Sequence, residues 1–272
     1  MSTAPRIVEG GPIWIDLSTP DIDAAIAFYR EMFGWEVVDP GPEYGGFHMI
    51  VADGKTIGGM MSSLMGPEGP TDEPQNPPWW SVYLHTSDID STVARSEAAG
   101  GSLLIPTMDV GTLGKMAVVS DSAGAMIGLW QGIDFPGMQA VAGPGLACWF
   151  ECMTTDFEAA LPFYRDVLGW DIHWMHEDDS DPAQPPADGG FRYVTHGDQQ
   201  TGVAGLCDAS AWLPEGVPSY WRVYLGTTDT DAALEKLTSL GGQVIDGPMD
   251  SPFGRLATVA DPQGAQFQII TS

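Results

Sequence analysis

The chain has 272 residues, 43% of them hydrophobic, a length and composition that suit two domains with substantial cores. Its 37 acidic against 10 basic side chains give a formal net charge of −27, which excludes the clustered Lys and Arg that nucleic acid or an anionic membrane surface demands. The charge serves solubility and leaves room for a cationic small molecule. Three cysteines, Cys148, Cys152 and Cys207, are too few and odd in number for a disulfide framework and read as buried thiols. No N-terminal apolar run resembles a signal peptide and no segment approaches a membrane span, so the cytoplasm is the expected compartment.

Residues 1–10 read as a polar leader. A strand follows over 12–19, with Trp14, Asp16 and Ser18 on one face and Ile13, Ile15 and Leu17 on the other. Asp21 fits a helix N-cap, and Ile22, Ala25, Ile26, Tyr29 and Phe33 form a stripe at helical spacing that Gly34 closes. Trp35 opens a short strand. A hairpin from Phe47 to Ser63 turns at Asp53-Gly54, and 66–78 read as a loop. The order then restarts, with a strand from Trp79, a cap at Asp88, a helix to Ala99 and three strands ending at Trp130.

The second half repeats the first. Trp14, Asp21, Phe28 and Trp35 recur as Trp149, Asp156, Phe163 and Trp170, each at an offset of 135. Gly100-Gly101 recurs as Gly241-Gly242, and Asp121-Ser122-Ala123-Gly124 as Asp261-Pro262-Gln263-Gly264. The expected boundaries are a first domain over 10–132, a linker over 133–144 and a second domain over 145–272. Residues 177–190 read as a mobile acidic loop. The fold class is α+β, with two tandem domains, each of two strand–helix–three-strand units bent into a cupped mixed sheet.

These motifs resemble the vicinal-oxygen-chelate superfamily of glyoxalases, bleomycin-resistance proteins and extradiol dioxygenases. They carry a further likeness to an actinobacterial subgroup that includes a mycobacterial culture-filtrate antigen and proteins labelled hydroxylase in aromatic-polyketide clusters. Metal-dependent members set their ligands at strand positions that carry over to Trp14, Ser81 and Gly128, and to Trp149, Arg222 and Gln268. None is His, Glu or Asp, so the resemblance implies neither a metal nor another cofactor here. A shifted triad of Asp16, His48 and His85 stays open, as does an Asp16–His85 acid/base couple with a Tyr83 or Tyr224 phenol. Glu151 beside Arg222 reads either as ligand contact or as a buried ion pair.

Indoles stand where the metal would be. Trp14, Trp80, Trp130, Trp149 and Trp221, with Tyr83, Tyr224, His48, Arg222 and Gln268, are the candidate ligand-binding residues, and Asp16 and Glu151 offer a carboxylate in each cup. The expected function is metal-independent binding of an aromatic small molecule, a secondary metabolite or drug. A glyoxalase-like or hydroxylase-type enzyme is the alternative. The partner expected is that ligand, aromatic and cationic or neutral, with a homodimer or a pseudo-dimer within one chain as the assembly.

Overall fold

A computed structural model describes residues 2–66, 69–176, 181–186 and 190–271. The first half runs β1 (Pro12–Thr19), α1 (Ile22–Phe33), β2 (Glu36–Val38), β3 (His48–Ala52), β4 (Lys55–Ser62), β5 (Met65–Gly66), β6 (Gly69–Pro70), β7 (Trp79–His85), α2 (Ile89–Ala98), β8 (Ser102–Val110), β9 (Gly114–Ser120) and β10 (Met126–Gly132). The second runs β11 (Ala147–Thr154), α3 (Phe157–Asp166), β12 (Ile172–Trp174), β13 (Tyr193–His196), β14 (Gly205–Asp208), β15 (Tyr220–Thr227), α4 (Thr230–Ser239), β16 (Gln243–Ser251), β17 (Gly254–Ala260) and β18 (Gln266–Thr271). Part of the acidic loop expected over 177–190, residues 177–180 and 187–189, lies outside the described residues.

Among the described residues the strands build two mixed eight-stranded sheets and a two-stranded ladder of β5 and β6. The order β2-β3-β4-β1-β7-β10-β9-β8 recurs as β12-β13-β14-β11-β15-β18-β17-β16. In each, the two strands that open the units lie antiparallel at the centre, β1 on β7 and β11 on β15. Each helix starts as its sequence dictates. The carboxylates of Asp21, Asp88, Asp156 and Asp229 accept the backbone N–H three residues on, satisfying donors that the first helical turn leaves unpaired.

All eight residues of β1 are buried, so both faces of the sheet are covered near its middle. Ile13, Ile15 and Leu17 pack under the helices, and Trp14, Asp16 and Ser18 line the concave side. The α1 stripe is broader than its spacing suggests. Phe28 and Met32 are buried beside Ala25 and Tyr29, because α1 packs against the second half as well as its own sheet.

The two halves complete each other. Tyr29 donates to Asp261 (3.1 Å) and Tyr164 to Asp121 (2.9 Å), each from one half to the β-turn of the other. The Trp80 indole donates to Tyr29 and the Trp221 indole to Tyr164. Trp35 and Trp170 cross the junction in the same sense, to the carbonyls of Gly145 (2.7 Å) and Gly10 (3.0 Å). Residues 2–10 are not a free leader. Thr3 bridges to Val141, and the Glu9 carboxylate is held at the start of α2.

Candidate binding cups

The register fixes which side chains share the first concave face. Trp14 of β1 lies beside Tyr83 of β7, which lies beside Gly128 of β10. One step along, Asp16 lies between Ser81 and Gly59. His85 and Trp130 pair at the far end, and Ile105 and Met108 of β8, opposite Val118 and Met116, are exposed at the rim. Phe135, from the segment between the domains, meets Trp14 (5.4 Å between ring centroids) and Trp130 (6.4 Å) in T-shaped contacts.

Asp16 is the polar exception on this apolar face. It is 5% exposed, and burial pushes its carboxyl up to about 6, against the opposing pull of the Tyr83 and Ser81 hydroxyls. Burial and the neighbouring Asp16 charge push the Tyr83 phenol well above its ordinary value. Among the described residues no ion pair reaches Asp16.

The second cup resolves the same geometry differently. Trp149, Tyr224 and Gln268 form the row that matches Trp14, Tyr83 and Gly128. Glu151 takes the place of Asp16 but faces Arg222 instead of Ser81. Its carboxylate accepts from Arg222 Nε (2.7 Å), from a second guanidinium nitrogen and from the Tyr224 hydroxyl (2.8 Å). Burial pulls the Arg222 guanidinium down, yet the Glu151 charge beside it raises it overall. Trp149 donates to Tyr193 (2.9 Å), and Thr258 to the Gln268 side-chain oxygen (3.0 Å). Met153, Tyr193, Cys207 and Ala209 form a small apolar cluster of their own here.

Several expected site residues do not face the cups. Trp80 pairs with Leu17, and Trp221 with Cys152. Both indoles therefore point under the helices, where they bond to Tyr29 and Tyr164, and they are core. His48 pairs with Met60, which pairs with Leu17, so it lies on the face opposite Asp16 and contacts the Gly46 carbonyl instead. His85 does share the concave face, but it stands four residues along β7 from Ser81, the neighbour of Asp16. That is about 13 Å at the usual strand rise, so the Asp16–His85 couple is not assembled. Tyr83 is the partner of Asp16.

Residues that the sequence reading missed are Phe47, Phe135 and Tyr193. Two glycines were the available signal. A Cβ on Gly59 would lie 2.0 Å from the Phe47 ring, and one on Gly205 2.0 Å from the Tyr193 hydroxyl, so each glycine admits an aromatic side chain onto the sheet.

The donor set does not fit a divalent metal. The row across the first cup is Trp, Tyr and Gly, and across the second Trp, Tyr and Gln. Ser81 and Arg222 fall one step off it. At Gly128 the Tyr83 ring fills the space a donor side chain would need, 2.2 Å from where a Cβ would sit. Among the described residues no three His, Cys, Asp or Glu side chains converge.

The family model described as Glyoxalase/Bleomycin resistance protein/Dioxygenase superfamily matches residues 11–129 and again 149–269. The chain belongs to this superfamily and carries its domain twice. It is 34% identical over 264 residues to CFP32 of Mycobacterium tuberculosis, which bears a glyoxylase name, across 96% of this chain and 95% of that one. It is 34% identical over 285 residues to the anthracycline biosynthesis protein DnrV of Streptomyces peucetius, across 97% and 94%. Its fold is similar to that of the Mn(II)-bound glyoxalase from Novosphingobium aromaticivorans, with a TM-score of 0.61 at 14% identity, covering 100% of this chain and 83% of that one. No helix among the described residues is long and apolar enough to cross a membrane.

Proposed function

We propose that the first cup binds an aromatic small molecule without a metal, in the sequestration of, resistance to, or biosynthesis of a secondary metabolite. The observation that carries this reading is Asp16: a carboxyl buried on an aromatic and apolar concave face, with two hydroxyls beside it and, among the described residues, no ion pair. Burying a carboxylate unpaired is costly, and such groups concentrate at functional sites. A ligand that stacks on Trp14 or Trp130 and donates a phenol or ammonium hydrogen to Asp16 would supply the missing partner. Phe135 is the group such a ligand would displace. The anthracycline-biosynthesis relative supports a polycyclic aromatic ligand. The Arg222–Glu151 pair already supplies this partner in the second cup, so the proposal expects one ligand per chain.

The test is quenching of tryptophan fluorescence on titration with planar aromatic phenols and amines. Saturable quenching at one equivalent, weakened at least tenfold in Asp16→Asn and lost in Trp14→Leu, supports the reading. A folded protein that no member of a broad panel quenches counts decisively against it. A carboxyl near 6 beside Tyr83 also suits a general base. Turnover that vanishes in Asp16→Asn while binding persists would move the enzyme reading ahead.

A further inference from the structure

The internal repeat lets one domain junction be compared with the other. Where α3 meets α2, Arg95 donates to the Val167 carbonyl (3.0 Å) and Gly10 N–H to the His85 carbonyl (2.8 Å). Where α1 meets α4, Lys236 donates to the Met32 carbonyl (3.3 Å) and Gly145 N–H to the Gly226 carbonyl (2.8 Å). With the crossing bonds of Trp170 and Trp35, these contacts recur at both junctions.

The residue before each glycine differs. Before Gly10 stands Glu9, whose carboxylate accepts from the Thr86 hydroxyl and the Ser87 amide, both at 2.9 Å. Before Gly145 stands Pro144, which has no such group. Thr227 and Thr228, the counterparts of Thr86 and Ser87, instead border an open cavity of about 500 Å³ whose walls include Arg30, Lys236 and Pro144 along with the acids Glu31 and Asp229, and the Thr227 hydroxyl donates only a long bond, 3.3 Å, to the Asp229 carbonyl. Neither Arg30 nor Lys236 forms an ion pair among the described residues.

We propose that this cavity binds a small organic acid, whose carboxylate takes the Thr227 hydroxyl and the Thr228 amide as Glu9 takes Thr86 and Ser87. The chain itself demonstrates the chemistry at the matching place. The acids Asp229 and Glu31 are no bar, because Asp88 and Asp166 stand in the corresponding positions at the junction that holds Glu9. The volume falls within the range of small-molecule sites, roughly 300–1,000 Å³, so an acid with a body larger than its carboxylate fits. The lining shares no residue with either cup, and the proposal is independent of the aromatic-binding reading.

The experiment titrates the 15N-labelled full chain with sodium acetate and with sodium benzoate, against sodium chloride at matched ionic strength. The Thr228 amide is expected to move saturably with both acids and not with chloride. Pro144→Glu should place the Thr228 resonance near its acid-bound position and reduce the response at least tenfold. Thr227→Val, which spares the backbone, should weaken acetate several-fold. No saturable movement of Thr228 with either acid overturns the proposal. So does an undiminished response in both variants.

Discussion

Replacing Asp16 with asparagine should stabilise the protein at neutral pH while weakening its ligand. Burial lifts the carboxyl from 3.8 to about 6, and each unit is worth about 1.36 kcal/mol. The native state therefore holds its proton more tightly than the unfolded chain. Stability contributed by this group is present at low pH and lost as pH rises through 6. Keeping the carboxylate ionised at pH 7 costs on the order of 3 kcal/mol, and at pH 4 well under 1 kcal/mol. The assay is urea denaturation of both proteins at pH 4, 5, 6 and 7. The advantage of Asp16→Asn should widen by about 2 kcal/mol across that range. Asparagine brings its own constant contribution, so the pH dependence of the difference is the test. A difference that stays flat from pH 4 to 7 would refute the account of Asp16 as a buried carboxyl without a cation.

Arg222→Met strands Glu151, which is buried, and should cost about 3 kcal/mol by urea denaturation, whereas Glu151→Gln with Arg222→Met together should cost far less. Tyr29→Phe and Tyr164→Phe each remove a bond to a buried aspartate and should cost about 1.5–3 kcal/mol apiece. His196 accepts from Asp171 N–H at Nδ1 (3.0 Å), contacts the Glu9 carbonyl through Nε2 (2.9 Å) and stacks on Trp170. Burial holds its pKa below 6.5, so the native state resists protonation and stability falls as pH drops below 6.5. His196→Gln should remove that fall, measured against the parent at each pH. Phe135→Ala should uncover Trp14 and Trp130, seen as red-shifted emission and greater quenching by acrylamide.

The duplication, the four aspartate caps and the paired units were legible because each rests on local chemistry at a constant spacing. The concave-side indoles were only partly so. When both faces of a strand are buried, alternation assigns residues to two sets without saying which set faces the helices. Trp80 and Trp221 alternate with Ser81, Tyr83, Arg222 and Tyr224, which already sets them opposite the cups, and His48 was misplaced because the register of the β3–β4 hairpin cannot be counted from its ends alone. The Asp16–His85 couple failed on distance along one strand, which shared parity does not measure. The contacts of Tyr29 with Asp261 and of Trp35 with Gly145 join residues more than a hundred positions apart, and nothing local announces them. Glu151 with Arg222 was readable, since neighbouring strands of known pairing set opposite charges side by side.

The crossed tyrosines and tryptophans set different rules for the two parts of the molecule. Each half supplies groups that its partner's turns and carbonyls need, so a half produced alone would leave Asp121 or Asp261 without its tyrosine. Such a half would regain it only from a second copy, as a symmetric pair. Joining the two copies in one chain removes the requirement that they be identical. The seam has matched bonds, while one basin holds an acid that no ion pair reaches among the described residues and the other the Arg222–Glu151 pair. A duplicated chain of this kind can, on the proposed reading, keep one basin for a ligand and turn the other into structural support.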